Sequence, residues 1–325
     1  MKYNFTYYLN EYFNKYLPYE RGCSINTIKS YKYTFKLLIN YLINEKNIDI
    51  KKLDFKYFTK ENIREFLNDI ENKTSINSRN QRLGAIKSFF QFISSENIDN
   101  LNLVQQILSI RSKKCPRKNI DYLTQSEISQ FLNCIQPSNS KEFRDLVLLS
   151  LLYDSAARAS EILKIKVMDL NLDNNYSVLL HGKGNKQRRV PITENTRQML
   201  KTYIEKNNIN SISYLFHNSK GEKYTTKMIE HLIKKYMNKA NISGKNIHPH
   251  SFRHSRAMHL LESGINLIYI RDLLGHSNIT TTEIYAKTNE ELIRKSIINA
   301  YNPSISNDSY EWNNDEKLLK ELLSL

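Results

Sequence analysis

Apolar residues recur through the first third of the chain at the three- and four-residue steps of an α-helix. Between residues 24 and 45, Ile28, Tyr31, Phe35, Leu38 and Leu42 fall on one face, with Ser24 placed as an N-cap. A second helix fits TKENIREFLNDI from Thr59, and a third fits 77–94 through Leu83, Ile86, Phe90 and Ile93. Arg79, Arg82 and Lys87 lie mainly on the other faces of that third helix. Residues 1–110 are therefore expected to form an all-helical unit.

The periodicity breaks at IRSKKCPRKNIDYLT, 110–124, which holds Pro116 and five basic residues and ends in a capping box of Thr124 and Glu127. It is the expected linker, either a solvated hinge or a strap along a phosphate backbone. Beyond it the pattern is mixed. Helices fit 124–135 and 141–164, and YSVLLHGKGNKQRRVPIT reads as two short strands around a glycine-rich turn. Helices resume near 193–206 and 225–240. Another starts at Pro249, a favoured first helical position, and stops before Gly264; the next stops at Gly275. In the tail from 301, Leu318, Leu319, Leu322 and Leu323 make a narrow apolar face on a short last helix, packed either on its own domain or on a neighbour.

Composition narrows the class. The 325 residues suffice for two cores, and 40% apolar residues with a mean hydropathy of -0.57 describe a globular chain rather than a disordered or membrane-embedded one. The longest apolar run, LVLLSLLY, is far short of the roughly 20 residues that span a bilayer. The N-terminus lacks a signal-peptide core, so the cytoplasm is expected. Cys23, Cys115 and Cys134 form neither a disulfide framework nor a thiolate zinc site. The 48 Lys and Arg against 33 Asp and Glu give a net charge of +15, which points to a polyanionic partner.

Candidate chemistry concentrates in HPHSFRH, 248–254. A metal site would want paired histidines on a strand and a carboxylate close by, whereas here Pro249 opens a helix and no carboxylate is present. On that helix His250 and Arg253 are i and i+3, on one face. A guanidinium repels a cation and forks onto phosphate oxygens, and the helix N-terminus adds amide donors, so the segment reads as an anion clamp. Elsewhere SAARASEIL places Arg158 and Glu161 at i and i+3 on a helix, where the carboxylate can orient the guanidinium. HGKGNKQRRVP puts Lys183 in a glycine-flanked turn followed by Lys186, Arg188 and Arg189, without Walker spacing. LLGHSNITTTEIYAK offers His276 past a helix end and Tyr285 nine residues on.

In sum these segments resemble the tyrosine recombinases of phage-integrase and Xer type. HPHSFRHSRAMHLLESGINLIYIRDLLGHSNITTTEIYAK is similar to the family's carboxy-terminal signature, ARASEIL to its first arginine motif, GKGNKQRRVP to its catalytic hairpin, and SINTIKSYKYTFKLLINYL with SRNQRLGAIKSFFQFI to its amino-terminal domain. The resemblance covers about residues 7–300, with the motifs in family order. It implies a mainly α, two-domain fold: a SAM-like helical core-binding domain over 1–110, a basic linker over 111–121, an α+β catalytic domain with a small antiparallel β-hairpin or sheet over 122–300, and a tail, 301–325, able to dock on a neighbouring protomer.

It further implies an active site of Arg158, Lys183, His250, Arg253 and His276 around the nucleophile Tyr285, with Glu161 supporting. Arg79, Arg82, Lys87, Lys186, Arg188 and Arg189 are the expected DNA contacts. No metal, cofactor or ATP is expected. The implied partners are double-stranded DNA, gripped in a C-shaped clamp, and a homo- or hetero-tetramer on synapsed sites. The alternatives are strand relaxation of the type IB topoisomerase kind and a non-catalytic DNA-binding protein on the same fold. One departure stands out. Where the family pattern usually has glycine, two positions before the first arginine, this chain has Ala156, which puts local helix packing in question more than chemistry.

Overall fold

A computed structural model describes residues 4–96, 100–115, 121–182, 184, 186–276, 282 and 320. The chain divides into two compact units, Met1–Lys118 and Asn119–Leu325.

The described part of the first unit is helical throughout. Helix α1 (Phe5–Glu11) runs on into a wider π-helical stretch, Tyr12–Glu20, that holds Pro18. Then come α2 (Ile25–Lys46), α3 (Lys60–Lys73), α4 (Ile76–Glu96) and α5 (Leu101–Leu108). The cap expected at Ser24 forms, its Oγ accepting from Thr27 N at 3.2 Å, and Thr59 caps α3 in the same way, its Oγ1 accepting from Asn62 N at 3.2 Å. The segment before Ser24 and helix α5 were not expected, because tyrosines and single turns obscure their period. Aromatic rings fill the core. Phe89 meets Phe5, Tyr12 and Phe35 at ring-centroid distances of 5.7, 5.2 and 5.1 Å, and Phe5 stacks on Phe58 at 4.3 Å. Each such pair adds about 0.5–1.5 kcal/mol beyond its area burial.

The second unit opens with α6 (Gln125–Asn133), whose capping box is complete: Glu127 N donates to Thr124 Oγ1 and Thr124 N to Glu127 Oε2. Helix α7 (Ser140–Asp154) follows, and Val147, Leu148, Leu149, Leu151 and Leu152 bury it on every side. The single helix expected over 141–164 is two. It ends at Asp154, turns through Ala156 at φ +49°, and resumes as the short α8 (Ala159–Ile162). Strands β1 (Leu170–Asn171), β2 (Ser177–His181) and β3 (Gln187–Pro191) form an antiparallel sheet in chain order, one strand more than the expected hairpin. The β2–β3 register pairs Leu180 with Arg188 and Leu179 with Arg189. Alternation therefore turns Arg188 inward with Val190 and leaves Arg189 exposed.

Helices α9 (Glu194–Lys206), α10 (Thr226–Lys239), α11 (Pro249–Glu262) and α12 (Leu267–Leu274) complete the described elements. The architecture is mainly α with a small antiparallel sheet, and no helix among the described residues is long and apolar enough to cross a membrane. The expected final helix with Leu318, Leu319, Leu322 and Leu323 lies outside the described residues.

Candidate active site

The start of α11 is built as its sequence suggests. Pro249 is the first helical residue, His248 takes the N-cap position, and Ser251 Oγ accepts from His248 N at 3.3 Å. Phe252 anchors the helix by packing on Phe131 with ring centroids 5.0 Å apart. Arg253, only 2% exposed, is thereby turned into the interior, where its Nη1 donates to Ala156 O at 3.0 Å and its Nη2 donates to Leu274 O. Both acceptors lie at the carboxy-terminal ends of helices, α7 and α12, where carbonyls gather negative charge that favours a guanidinium.

Arg158 is not inside a helix, as the i, i+3 reading assumed, but is the N-cap of α8. Its spacing to Glu161 still brings the two together. Arg158 Nη1 donates to Glu161 Oε1 at 2.7 Å and Arg158 N to Glu161 Oε2 at 2.9 Å, so one carboxylate orients both side chain and backbone. Arg188 completes the cluster, with its Nη1 3.1 Å from Oε1 and its Nη2 2.8 Å from Oε2. Burial pushes the Glu161 carboxyl up, yet the Arg188 fork, the Arg158 N–H and the two guanidinium charges outweigh it and bring it down to about 2.

The imidazoles are held neutral. His276 follows Gly275, whose φ of +64° ends α12, and its pKa falls to about 4 through burial and the charges of Arg253, Arg158, His254 and Arg188. His250, exposed at the mouth of α11, is lowered by its partial enclosure and by Arg253, His248 and Arg158. The same two guanidinium groups thus act on both rings, so Arg158, Arg253, His250 and His276 share one electrostatic neighbourhood. His276 Nδ1 lies 2.9 Å from Oγ1 of the fully buried Thr282. This partner was not anticipated, and no spacing rule would have marked one of three consecutive threonines.

Lys183 and Tyr285 lie outside the described residues. Gly182, next to Lys183, is described: a β-carbon there would fall 3.4 Å from Glu161 Oε1, so the hairpin approaches this carboxylate closely.

The expected DNA contacts divide. Lys186 and Arg189 are exposed on the hairpin. Arg188 is instead turned into the protein, as described. Arg79 is 5% exposed and 3.5 Å from Glu71, Arg82 Nη1 donates to Thr34 Oγ1 at 3.0 Å, and Lys87 Nζ donates to Leu108 O at 2.6 Å. These three join helices of the first unit to each other. His259 is buried, with its Nδ1 2.8 Å from the Tyr153 hydroxyl. Among the described residues no group of three or more His, Cys, Asp or Glu is gathered as for a metal.

The mixed unit thus sets Arg158 and Arg188 on the buried Glu161, with Arg253, His250 and His276 in the same electrostatic neighbourhood, and the comparisons with known proteins agree with a phosphate-handling arrangement. Residues 121–291 match the phage integrase family, and residues 9–97 match the phage integrase N-terminal SAM-like domain. The chain belongs to the phage integrase family and is a DNA strand breaking and rejoining enzyme of the tyrosine recombinase type. It is 33% identical over 301 residues to the tyrosine recombinase XerD of Staphylococcus haemolyticus, covering 90% of this chain and 98% of that one. It is 33% identical to a tyrosine recombinase of Pseudothermotoga lettingae, covering 84% and 91%. Among solved structures it resembles the XerH site-specific recombinase bound to difH substrate in a pre-cleavage complex, with a TM-score of 0.67 and 25% identity over 87% of this chain and 82% of that one.

Proposed function

We propose that the chain is a site-specific recombinase that cleaves duplex DNA through a 3′-phosphotyrosyl intermediate on Tyr285, with charge stabilisation supplied by protein side chains. The observation that carries this reading is the convergence of Arg158 and Arg253, each fixed by protein acceptors, on His250 and His276, both held neutral.

The Tyr285 oxygen attacks phosphorus as the bond to the 5′-oxygen breaks. A phenol of ordinary pKa near 10 is about a thousandth ionised at neutral pH, a deficit of roughly 4 kcal/mol. His250 accepts the phenolic proton, and its lowered pKa keeps the imidazole unprotonated for that task. As phosphorus becomes five-coordinate, charge grows on its non-bridging oxygens, where Arg158 and Arg253 neutralise it. In the tautomer in which Nδ1 accepts from the Thr282 hydroxyl, neutral His276 keeps its proton on Nε2 and donates a hydrogen bond through it to a phosphate oxygen. Lys183 protonates the departing 5′-oxygen. The phosphotyrosyl bond retains the energy of the broken linkage, so a 5′-hydroxyl from another strand reverses the step without ATP.

Exchange between strands calls for two sites held by four protomers, with the 301–325 tail as a docking segment. The XerD and XerH relatives, named as recombinases, support exchange over simple relaxation. Duplex sites selected from a random pool by binding, then nicked to trap the intermediate, provide the test. In EDTA the protein is expected to form a covalent adduct with a free 5′-hydroxyl, and Tyr285→Phe is expected to form none. No adduct, or one that survives the substitution, overturns the reading.

A further inference from the structure

Arg188 stands where three elements of the site meet, although a basic hairpin next to DNA would ordinarily point its arginines at phosphates. All three of its nitrogens donate inward. Two take the two oxygens of Glu161, and Nε donates to Leu273 O at 2.8 Å, among the last carbonyls of α12. Its side chain is 14% exposed, against 32% for Arg158. The neighbouring carbonyl, Leu274 O, is taken by Arg253. Two arginines from different elements therefore grip consecutive peptides just before Gly275 and His276. The fit is close: a β-carbon on Gly275 would fall 3.1 Å from both Cδ and Nη1 of Arg188.

We infer that Arg188 is a positioning residue for strand cleavage, binding Glu161 and the end of α12 at once so that Arg158, His276 and the β2–β3 hairpin keep one register. This rests on the catalytic reading of the site above.

Charge balance supports the assignment. Glu161 with Arg158 alone would be a neutral pair, and the carboxylate would hold Arg158 down as its sole counter-ion. With Arg188 as second partner the trio carries one net positive charge, and Arg158 can turn to a phosphate without leaving a buried carboxylate unpaired. The charged groups facing Glu161 among the described residues are Arg158 at the start of α8 and Arg188 on β3, with the neutral imidazole of His250 on α11 farther off.

The test uses Arg188→Gln and Arg188→Lys, with Arg189→Gln as comparison, in the full chain on the binding-selected sites. Arg188→Gln is expected to leave affinity and its salt dependence unchanged and to slow single-turnover cleavage at saturating DNA by about a hundredfold, the scale of a misplaced site. The Glu161 carboxyl ¹³C titration should move upward as the carboxylate loses its largest stabilising partner. Arg188→Lys, which keeps charge without the fork, should recover part of the rate. Arg189→Gln, exposed on the same strand, should by contrast reduce the salt slope by about one. Weaker binding with a reduced slope and a normal rate for Arg188→Gln would make it a DNA contact and overturn the inference. So would an unmoved Glu161 titration, even where the lysine variant verifies folding. A wild-type protein that forms no adduct at any pH sinks the catalytic reading alone, since the carboxyl titration still decides what Arg188 holds.

Discussion

Ala156 shows how one backbone conformation supports the chemistry. Its φ of +49° is a region that side-chain-bearing residues rarely adopt, and there its carbonyl meets Arg253 Nη1 at 3.0 Å. Its sequence suggested a question of helix packing; the structure makes it a matter of turn geometry, because the residue lies between α7 and α8 and not within either. Three terms decide what glycine would do. Left-handed strain of about 1–2 kcal/mol is relieved. Against that stand about 0.8 kcal/mol for a methyl buried among Ala257, Met258, Ile270 and Leu274, and about 0.4–1 kcal/mol of added unfolded-state entropy. Ala156→Gly is therefore expected within about 1 kcal/mol of wild type in urea unfolding, with cleavage intact. Ala156→Val adds a β-branched strain and overpacks a closed site, and should cost about 3 kcal/mol and slow cleavage as the carbonyl shifts from Arg253. Equal effects of glycine and valine would refute this account. At this scale the sequence announces the candidate side chains, such as Arg158, His250 and Arg253. It is silent on what holds them, because the partners Ala156 O, Leu274 O and Thr282 Oγ1 are distant carbonyls or one hydroxyl among several.

Elements show a different boundary between what is legible and what is not. The stripe Leu83, Ile86, Phe90 and Ile93 on α4 is buried as its period demands, but the helix also buries Arg79, Ala85, Phe89 and Phe92. The exposed face of this helix runs through Asn77, Gln81, Gly84, Gln91 and Ser95, and the basic residues Arg79, Arg82 and Lys87 lie off it, each paired with another helix of the unit. Lys87 is the clearest case, its ammonium resting on the Leu108 carbonyl at the end of α5, where positive charge is favoured. Lys87→Met should lower the stability of the first unit by about 1 kcal/mol and leave the salt dependence of DNA binding as it was. Lys186→Gln, on the exposed hairpin turn, should do the opposite and reduce the slope of log affinity against log salt by about one. Matching slopes for the two variants would make Lys87 a DNA contact as well. Turns were less legible than stripes. The break between α7 and α8 contains no glycine or proline to announce it, and its left-handed residue is an alanine.

Across the whole chain the charge excess of +15 was plain from composition, whereas the uneven placement of titratable rings gains meaning only from packing. All eight histidines fall after residue 180, in the second compact unit, and none in the first. Burial lowers the pKa of His250, His254, His259 and His276, with Arg253 adding to it at His250, His254 and His276 and Arg256 at His259. The sign follows from which state binds protons more readily. With folded values below the ordinary 6.5, the unfolded chain takes up protons first as pH falls, so stability is full above 6.5 and declines toward about 4, the value for His254 and His276. His254 alone, moved from 6.5 to about 4, is worth about 2 kcal/mol at pH 5. Glu161 adds its own loss only below its unfolded value of 4.5, so the two effects occupy separate windows. The second unit should therefore weaken between pH 7 and pH 5 while the first, with no imidazole to protonate, holds. Urea titrations read by pulsed hydrogen exchange should show falling midpoints for peptides of α7 and α11 and steady ones for α2 and α4. His254→Gln should restore part of the loss at pH 5 but not at pH 7. A common shift in both units would mean that general charge repulsion in a basic chain, and not the histidines packed in the second unit, governs its response to acid.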